Sequence, residues 1–262
     1  MNSLNICGAG PSGSTLLGLM AGSHSACVYL GEAARIKSFD KADWPEQKRA
    51  CQICGPACAT NLESRGRPRP DVVIDSSKHP WWKRRRVKQT RNAGWRPHLA
   101  LPTRDGRAVI NSRLRKYPTR DAEQEIRDWM RAMTVSERLY DAFPGPKSRL
   151  RYEDLATQPK RSLGATCQLL DLAYEPAMLR FQHGDHHPLG GNSGTNFQVA
   201  RTKVAVSTKT YFKPGIWGRE YYERHDESIR LDLRWTRELD PAHQALFERS
   251  AGSFNASMAW DG

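Results

Sequence analysis

Residues 4–20 read LNICGAGPSGSTLLGLM. A short apolar run, Leu4 to Cys7, passes directly into the glycine-rich GAGPSGST (8–15), and a helical pattern follows from Thr15 to Met20. The reading is strand, tight turn, helix. Downstream, the β-branched run Val72, Val73, Ile74 stops at Asp75, as a buried parallel strand does. His98 to Leu101 and Ser148 to Tyr152 are further candidate strands. From Asp121, the residues Ile126, Trp129, Met130 and Met133 repeat at helical spacing, and Pro159 opens a helix with Leu163, Cys167 and Leu170 on one face. Asp240 and Pro241 are the cap and first residue of a last helix. Strands separated by helices predict one α/β domain over residues 1–262 around a mainly parallel sheet. Two irregular excursions are expected, at about 40–70, rich in Cys, Pro and Arg, and at 183–220, rich in Gly, Asn, Thr and Lys.

The chain has 262 residues, with 41 Lys or Arg against 28 Asp or Glu, a formal charge of +13. With 38% hydrophobic residues a core can form, which excludes wholesale disorder. No apolar stretch reaches the ~18 residues of a membrane span. The start, MNSLNICGAG, has no basic segment followed by an apolar one, so no signal peptide is expected. Six Cys are too few for a disulfide scaffold at this length, and a reducing cytoplasm is the expected compartment; a piece of a larger lumenal protein would look the same. The positive excess predicts an anionic ligand.

The first loop fits two templates. Gly8-x-Gly10-x-x-Gly13 is the dinucleotide fingerprint, with Glu32 about where a ribose-binding acid is expected, which would make the chain an FAD- or NAD-binding oxidoreductase. No second cofactor motif follows it. Gly8-x-x-x-x-Gly13-x-Thr15 is also a Walker A frame, but Ser14 stands where the phosphate-binding Lys belongs, so a kinase would lack its main charge stabiliser. Both templates share one piece of physics. Small residues let backbone N–H groups approach an anion at a helix N-terminus, and Ser12, Ser14 and Thr15 add hydroxyl donors. A second anion element is Arg104-Asp-Gly-Arg-Ala-Val-Ile-Asn-Ser112: an Arg at a strand end and a Ser eight residues on, in a following helix, can reach one phosphate. Together the two imply a nucleotide with phosphates at two separate places.

Five segments in order, SGSTLL (12–17), DSSKHP (75–80), RDGRAVINS (104–112), RYEDLATQP (151–159) and WTREL (235–239), resemble the sulfotransferases that use 3′-phosphoadenosine-5′-phosphosulfate (PAPS), in the branch of tyrosylprotein and several bacterial and carbohydrate enzymes. The resemblance implies a P-loop-like α/β sandwich, PAPS as donor, 3′,5′-adenosine bisphosphate (PAP) as product and an acceptor hydroxyl on a small molecule, sugar or peptide. It implies that Ser12, Gly13, Ser14 and Thr15 hold the 5′-phosphosulfate, with Gly10, Pro11 and Leu16 completing that segment. Arg104 and Ser112 would hold the 3′-phosphate, and Tyr152 would lie near the nucleotide. Glu32 would be the catalytic base and Lys78 the cation beside the transferring group, with Asp75 and Ser77 positioning it. The competing readings are a solvated helix-start acid and a surface Lys.

Sulfuryl transfer needs these residue types. The acceptor loses a proton while charge builds on the leaving phosphate oxygen, so a carboxylate and fixed cations suffice and no metal ion is required. Relatives usually carry Lys or Arg before the Ser-Gly pair, where this chain has Pro11; Lys78, Arg201, Lys203, Lys209 or Lys213 would have to substitute. HHPLGGN (186–192) resembles a His-x-x-x-Gly-Asn stretch of some relatives. Cys51-x-x-Cys54-x-x-x-Cys58 has metal-like spacing but no evident fourth ligand nearby, so reduced loop thiols and no metal site are the expectation, with structural zinc or a disulfide as the alternative. His183, His186 and His187 read as a solvated loop or an acceptor-site wall. The run Trp81, Trp82, Lys83, Arg84, Arg85, Arg86 would suit a nucleic acid, an anionic acceptor or a plain basic helix face.

Overall fold

The computed structural model describes residues 1–38, 51–55, 58, 70–203, 206–207, 211–212, 219–224 and 226–261; most of the 40–70 excursion, Lys209 and Lys213 lie outside them. Its centre is a five-stranded sheet formed by β1 (Asn2–Ile6), β2 (Cys27–Tyr29), β3 (Val72–Asp75), β4 (Arg96–Thr103) and β5 (Lys147–Arg151). The order is β2-β3-β1-β4-β5 and every pairing is parallel. This is the α/β sandwich that the strand–helix alternation predicts.

The strands bury both faces, as parallel strands do. Leu4 and Ile6 point into one core with Val72, Ile74 and Ala100, covered by α1 (Ser14–Ala21), by Leu163 and Cys167 of a later helix and by Phe181. Cys7, Leu99 and Leu101 point to the opposite face, against Leu139 and Phe143. The chain leaves β1 for β2, returns through β3, and only then crosses to β4, so β1 is the point where the direction of winding reverses. Ligands of open α/β sheets bind at that edge.

The same order corrects the oxidoreductase reading. In a dinucleotide-binding fold β2 lies beside β1, and the acid after it reaches the ribose. Here β3 is inserted between them, so Glu32 is displaced by a full strand.

Helices α2 (Pro80–Asn92), α3 (Gly106–Lys116), α4 (Ala122–Asp141), α5 (Tyr152–Thr157) and α6 (Pro159–Leu169) follow. Helix α3 is pinned by Asp105, whose carboxylate accepts from Arg107 N at 2.8 Å and from Trp260 N at 3.0 Å. Gly106 is required there, since a Cβ would sit 2.3 Å from the Trp129 ring of α4. Three elements differ from expectation. Strand β2 is only three residues long and carries no periodicity to read. The basic run is the first part of α2 with Trp82 packed near Leu30 and Ala33, as the basic-helix reading has it, and the departure is Lys83, which is fully buried. The stretch 183–220, expected as a surface loop, contains α7 (Ser193–Lys203), opened by Asn192, whose side chain accepts from Thr195 N at 3.0 Å. Its Gly, Asn and Thr content hides a buried stripe of Phe197, Val199 and Ala200. Chain order then gives α8 (Arg219–Glu223), α9 (Trp235–Glu238) and α10 (Pro241–Asn255). No helix among the described residues is long and apolar enough to cross a membrane.

Buried Lys83 is compensated by β3. Its ammonium donates to the Asp75 carbonyl at 2.6 Å and lies 3.6 Å from the carboxylate. That carboxylate also accepts from Ser77 N, Ser77 Oγ and Trp82 Nε1 at 2.6–2.8 Å, and from Ala33 N at 3.3 Å. The pair thus ties the end of β3 to the segment after β2. Removing one member of such a pair strands the other charge. Lys83→Met is therefore expected to lower the unfolding free energy by about 3–5 kcal/mol, read as a fall in the urea midpoint at unchanged slope. A midpoint matching the parent would contradict this account of the β3 end.

Candidate active site

β1 ends at Ile6, and the chain turns at Gly8 with φ +106°; a Cβ there would lie 2.8 Å from the Pro102 carbonyl of β4. Gly13 has φ +79° and a Cβ on it would meet the Tyr152 ring at 2.7 Å. These two glycines let the loop fold tightly against β4 on one side and α5 on the other. Arg113 of α3 clamps the loop by donating to the Gly10 carbonyl from Nε (3.0 Å) and Nη2 (2.8 Å), and is itself held by Glu125. Gly13 is the N-cap of α1 and has no side chain to cap it. Helix geometry leaves the N–H groups of Ser14, Thr15 and Leu16 without intrahelical acceptors, in the positive end of the helix dipole.

These groups open into a cavity. Pro11, Ser12, Gly13, Ser14, Thr15 and Leu16 form one wall, and Arg104, Ser112 and Tyr152 form another. Of the residues expected to bind a donor nucleotide, Gly10 alone is not in the lining; its carbonyl faces Arg113. Arg104 leaves β4 with its guanidinium 4.3 Å above the Tyr152 ring and its Nη2 3.3 Å from Asp232. Tyr152 donates to the Arg230 carbonyl at 3.2 Å and accepts from Asp232 N at 3.1 Å. Burial raises its pKa against the pull of Arg104, which keeps it a neutral donor. Asp232 is also gripped by Arg234 in a two-point ion pair, 2.7 and 2.8 Å. Burial pushes the Asp232 carboxyl up, but the Arg234 hydrogen bonds and the charges of Arg104 and Arg234 outweigh it and hold the group well below the usual carboxylate range.

Lys78 enters from the turn after β3 and donates to Ser14 Oγ at the start of α1. Burial lowers its pKa to about 8, opposed mainly by the charge of Glu32. Asp75 and Ser77 hold the surrounding backbone, because Ser77 Oγ also accepts from Ala34 N at 2.9 Å. Glu32 does not line the cavity; its Oε2 is paired with Arg35 Nε at 2.7 Å, and its N donates to the Leu189 carbonyl at 2.6 Å. The 186–192 stretch crosses over the first loop: Asn192 N donates to Thr15 Oγ1 at 2.9 Å, and a Cβ on Gly191 would lie 3.0 Å from that oxygen. Of the cations able to stand in for the residue missing at Pro11, Lys78 touches the loop, while Lys209 and Lys213 lie outside the described residues. Lys203 instead pairs with Asp185 at 3.2 Å.

Sequence reasoning missed Asn192, Thr195, Gln198, Tyr221, Arg230, Asp232 and Arg234, which complete the cavity. The only signal for the last three was their position just before the WTREL segment. Three polar atoms of the lining residues show what the cavity can hold. Ser12 Oγ, Arg104 Nε and Arg234 Nη1 are buried and have no hydrogen-bond partner among the described residues. A buried donor without an acceptor costs about 1–3 kcal/mol. The three atoms belong to residues that line the cavity beside the open N–H groups of α1, and this set of hydroxyl, N–H and guanidinium donors suits an anion such as a phosphorylated nucleotide.

No family model and no curated protein matches the chain. Solved structures do. The chain is similar to the sulfotransferase domain of the olefin synthase of Synechococcus PCC 7002, with a TM-score of 0.56 and 17% identity, over 97% of this chain and 94% of that one. It is also similar to the sulfotransferase domain from the curacin biosynthetic pathway, with a TM-score of 0.51 and 18% identity, over 94% and 96% of the two chains. The likeness is one of fold: this chain has the α/β architecture of sulfotransferase domains from end to end.

Proposed function

We propose that the protein is a sulfotransferase that uses PAPS as donor and transfers its sulfuryl group to an acceptor hydroxyl, releasing PAP. The observation that carries this reading is one cavity lined both by the loop at the open N–H end of α1 and by the guanidinium residues Arg104 and Arg234. In this reading the Ser12–Leu16 loop holds the 5′ end, and Arg104 with Ser112 holds the 3′-phosphate.

The donor, when bound, supplies the sulfuryl group and the phosphate oxygen that leaves with the electron pair. Lys78, anchored on Ser14, supplies the positive charge that Pro11 does not, and with the open N–H groups of α1 it stabilises the negative charge that develops there. Glu32 takes the acceptor's proton. Arg35 occupies Oε2 of that carboxylate and orients it, which leaves Oε1 as the basic atom. The acceptor is a small molecule, sugar or peptide, and the +13 charge favours an anionic one.

Thermal shift against PAP, with ATP, NAD and FAD alongside, tests the donor. PAP at a hundredfold excess over its Kd is expected to stabilise the fold by about 2.7 kcal/mol. Arg104→Ala should abolish that shift, whereas Glu32→Gln should keep the shift and lose transfer. Stabilisation by FAD and none by PAP would overturn the proposal. Lys78 gives a pH signature. Its ammonium is charged below about 8, so PAP affinity should be constant at neutral pH and fall as pH rises through that value. Lys78→Arg, charged throughout, should flatten the profile.

A further inference from the structure

Three thiols and one imidazole converge away from the cavity. Cys51, Cys54, Cys58 and His187 each present one donor atom, and the four atoms lie within 4.8 Å of one another. The three sulfurs lie 3.9, 3.4 and 3.1 Å from His187 Nδ1, in the order Cys51, Cys54, Cys58. Across a tetrahedral zinc with Zn–S near 2.3 Å and Zn–N near 2.0 Å, a sulfur and a nitrogen stand about 3.6 Å apart. We propose that these four residues form a structural Cys3His zinc site, with the metal as a clip between the three cysteines and the 185–192 segment.

The surroundings are those of a ligand set. His187 Nε2 donates to Asp185 Oδ1 at 2.7 Å, which fixes the tautomer and turns the lone pair of Nδ1 toward the sulfurs; Lys203 braces the same carboxylate. This is the carboxylate–histidine support that metal-bound imidazoles carry. The N–H groups of Ile53 and Cys54 both point at Cys51 Sγ, at 3.4 Å, and so stabilise a thiolate. All six cysteines are free thiols. A disulfide would use two of the three sulfurs and leave the convergence of the third thiol and His187 on them unexplained. The other two histidines of the 183–187 stretch are engaged elsewhere: His183 meets Glu227 and His186 meets Ser23, each at 2.9 Å.

The clip acts where the cavity is built. Gln52 N donates to the Pro188 carbonyl at 3.0 Å, and Leu189 N donates to the Leu30 carbonyl at the end of β2, also at 3.0 Å. Leu189 in turn receives the Glu32 N–H, and Asn192 reaches Thr15 of the first loop. The metal's fourth ligand is thus two residues from a contact to Glu32 and five from a contact to α1. Zinc would hold that segment against the sheet edge. The inference stands on its own geometry, independently of the proposed donor.

The test is metal analysis of the full chain purified without chelator from zinc-supplemented cells. One zinc per chain is expected, released when a mercurial titrates the thiols and followed with a colorimetric zinc indicator. Cobalt replacing it should give the intense visible bands of tetrahedral cobalt thiolate, and removing the metal should lower Tm. His187→Cys should retain one metal with a shifted cobalt spectrum, and His187→Ala should bind it at least tenfold more weakly. Zinc well below one per chain, with Tm unmoved by added zinc, would overturn the proposal. So would a disulfide within the three cysteines of the reduced-purified protein.

Discussion

Parallel pairing of β1 with β4 ends both strands at the same edge of the sheet, and the whole cavity hangs from that edge. Ile6 lies opposite Ala100, so the glycine loop after β1 emerges beside Pro102 and Arg104. The approach is close enough that Gly8 has no room for a side chain. A helix N-terminus and a guanidinium come to share one cavity because two strands run the same way in adjacent lanes. An antiparallel β4 would have sent Arg104 to the opposite end of the molecule.

Charge at that edge is managed unequally. Asp232 faces two guanidiniums, but it grips Arg234 at two points and Arg104 at one longer contact of 3.3 Å. One carboxylate cannot neutralise both, and Arg104 Nε and Arg234 Nη1 each stay buried with no acceptor among the described residues. Other buried cations have partners of their own among the described residues. Lys83 has Asp75, and Arg113 has Glu125 and the Gly10 carbonyl.

Legibility in the sequence followed distance along the chain. The glycine loop could be read because strand, turn and helix lie within seventeen residues, and Arg104 and Ser112 because both sit on one short strand-to-helix unit. What escaped depended on distant partners. Lys83 looks like one cation in a basic run; only Asp75, across the end of β3, makes it a core residue. Cys51, Cys54 and Cys58 lacked a fourth partner because His187 is 129 residues beyond Cys58. Helix α7 was hidden by a composition rich in Gly, Asn and Thr. Arg230, Asp232 and Arg234 sit in a segment with no periodicity, between the short helices α8 and α9, and they matter only because Tyr152 and Arg104 draw that segment over the cavity.

The central claim is that one cavity grips an adenosine nucleotide at two phosphates, with Arg104 responsible for one of them. The most direct measurement is a calorimetric cycle: affinities of PAP and of AMP, which lacks the 3′-phosphate, for the parent chain and for an Arg104→Lys variant. The account predicts that the parent prefers PAP by a hundredfold or more, and that most of this preference is lost in the variant while AMP binds both alike. Equal affinity of the parent for PAP and AMP, or a preference for PAP that survives the substitution, would contradict it.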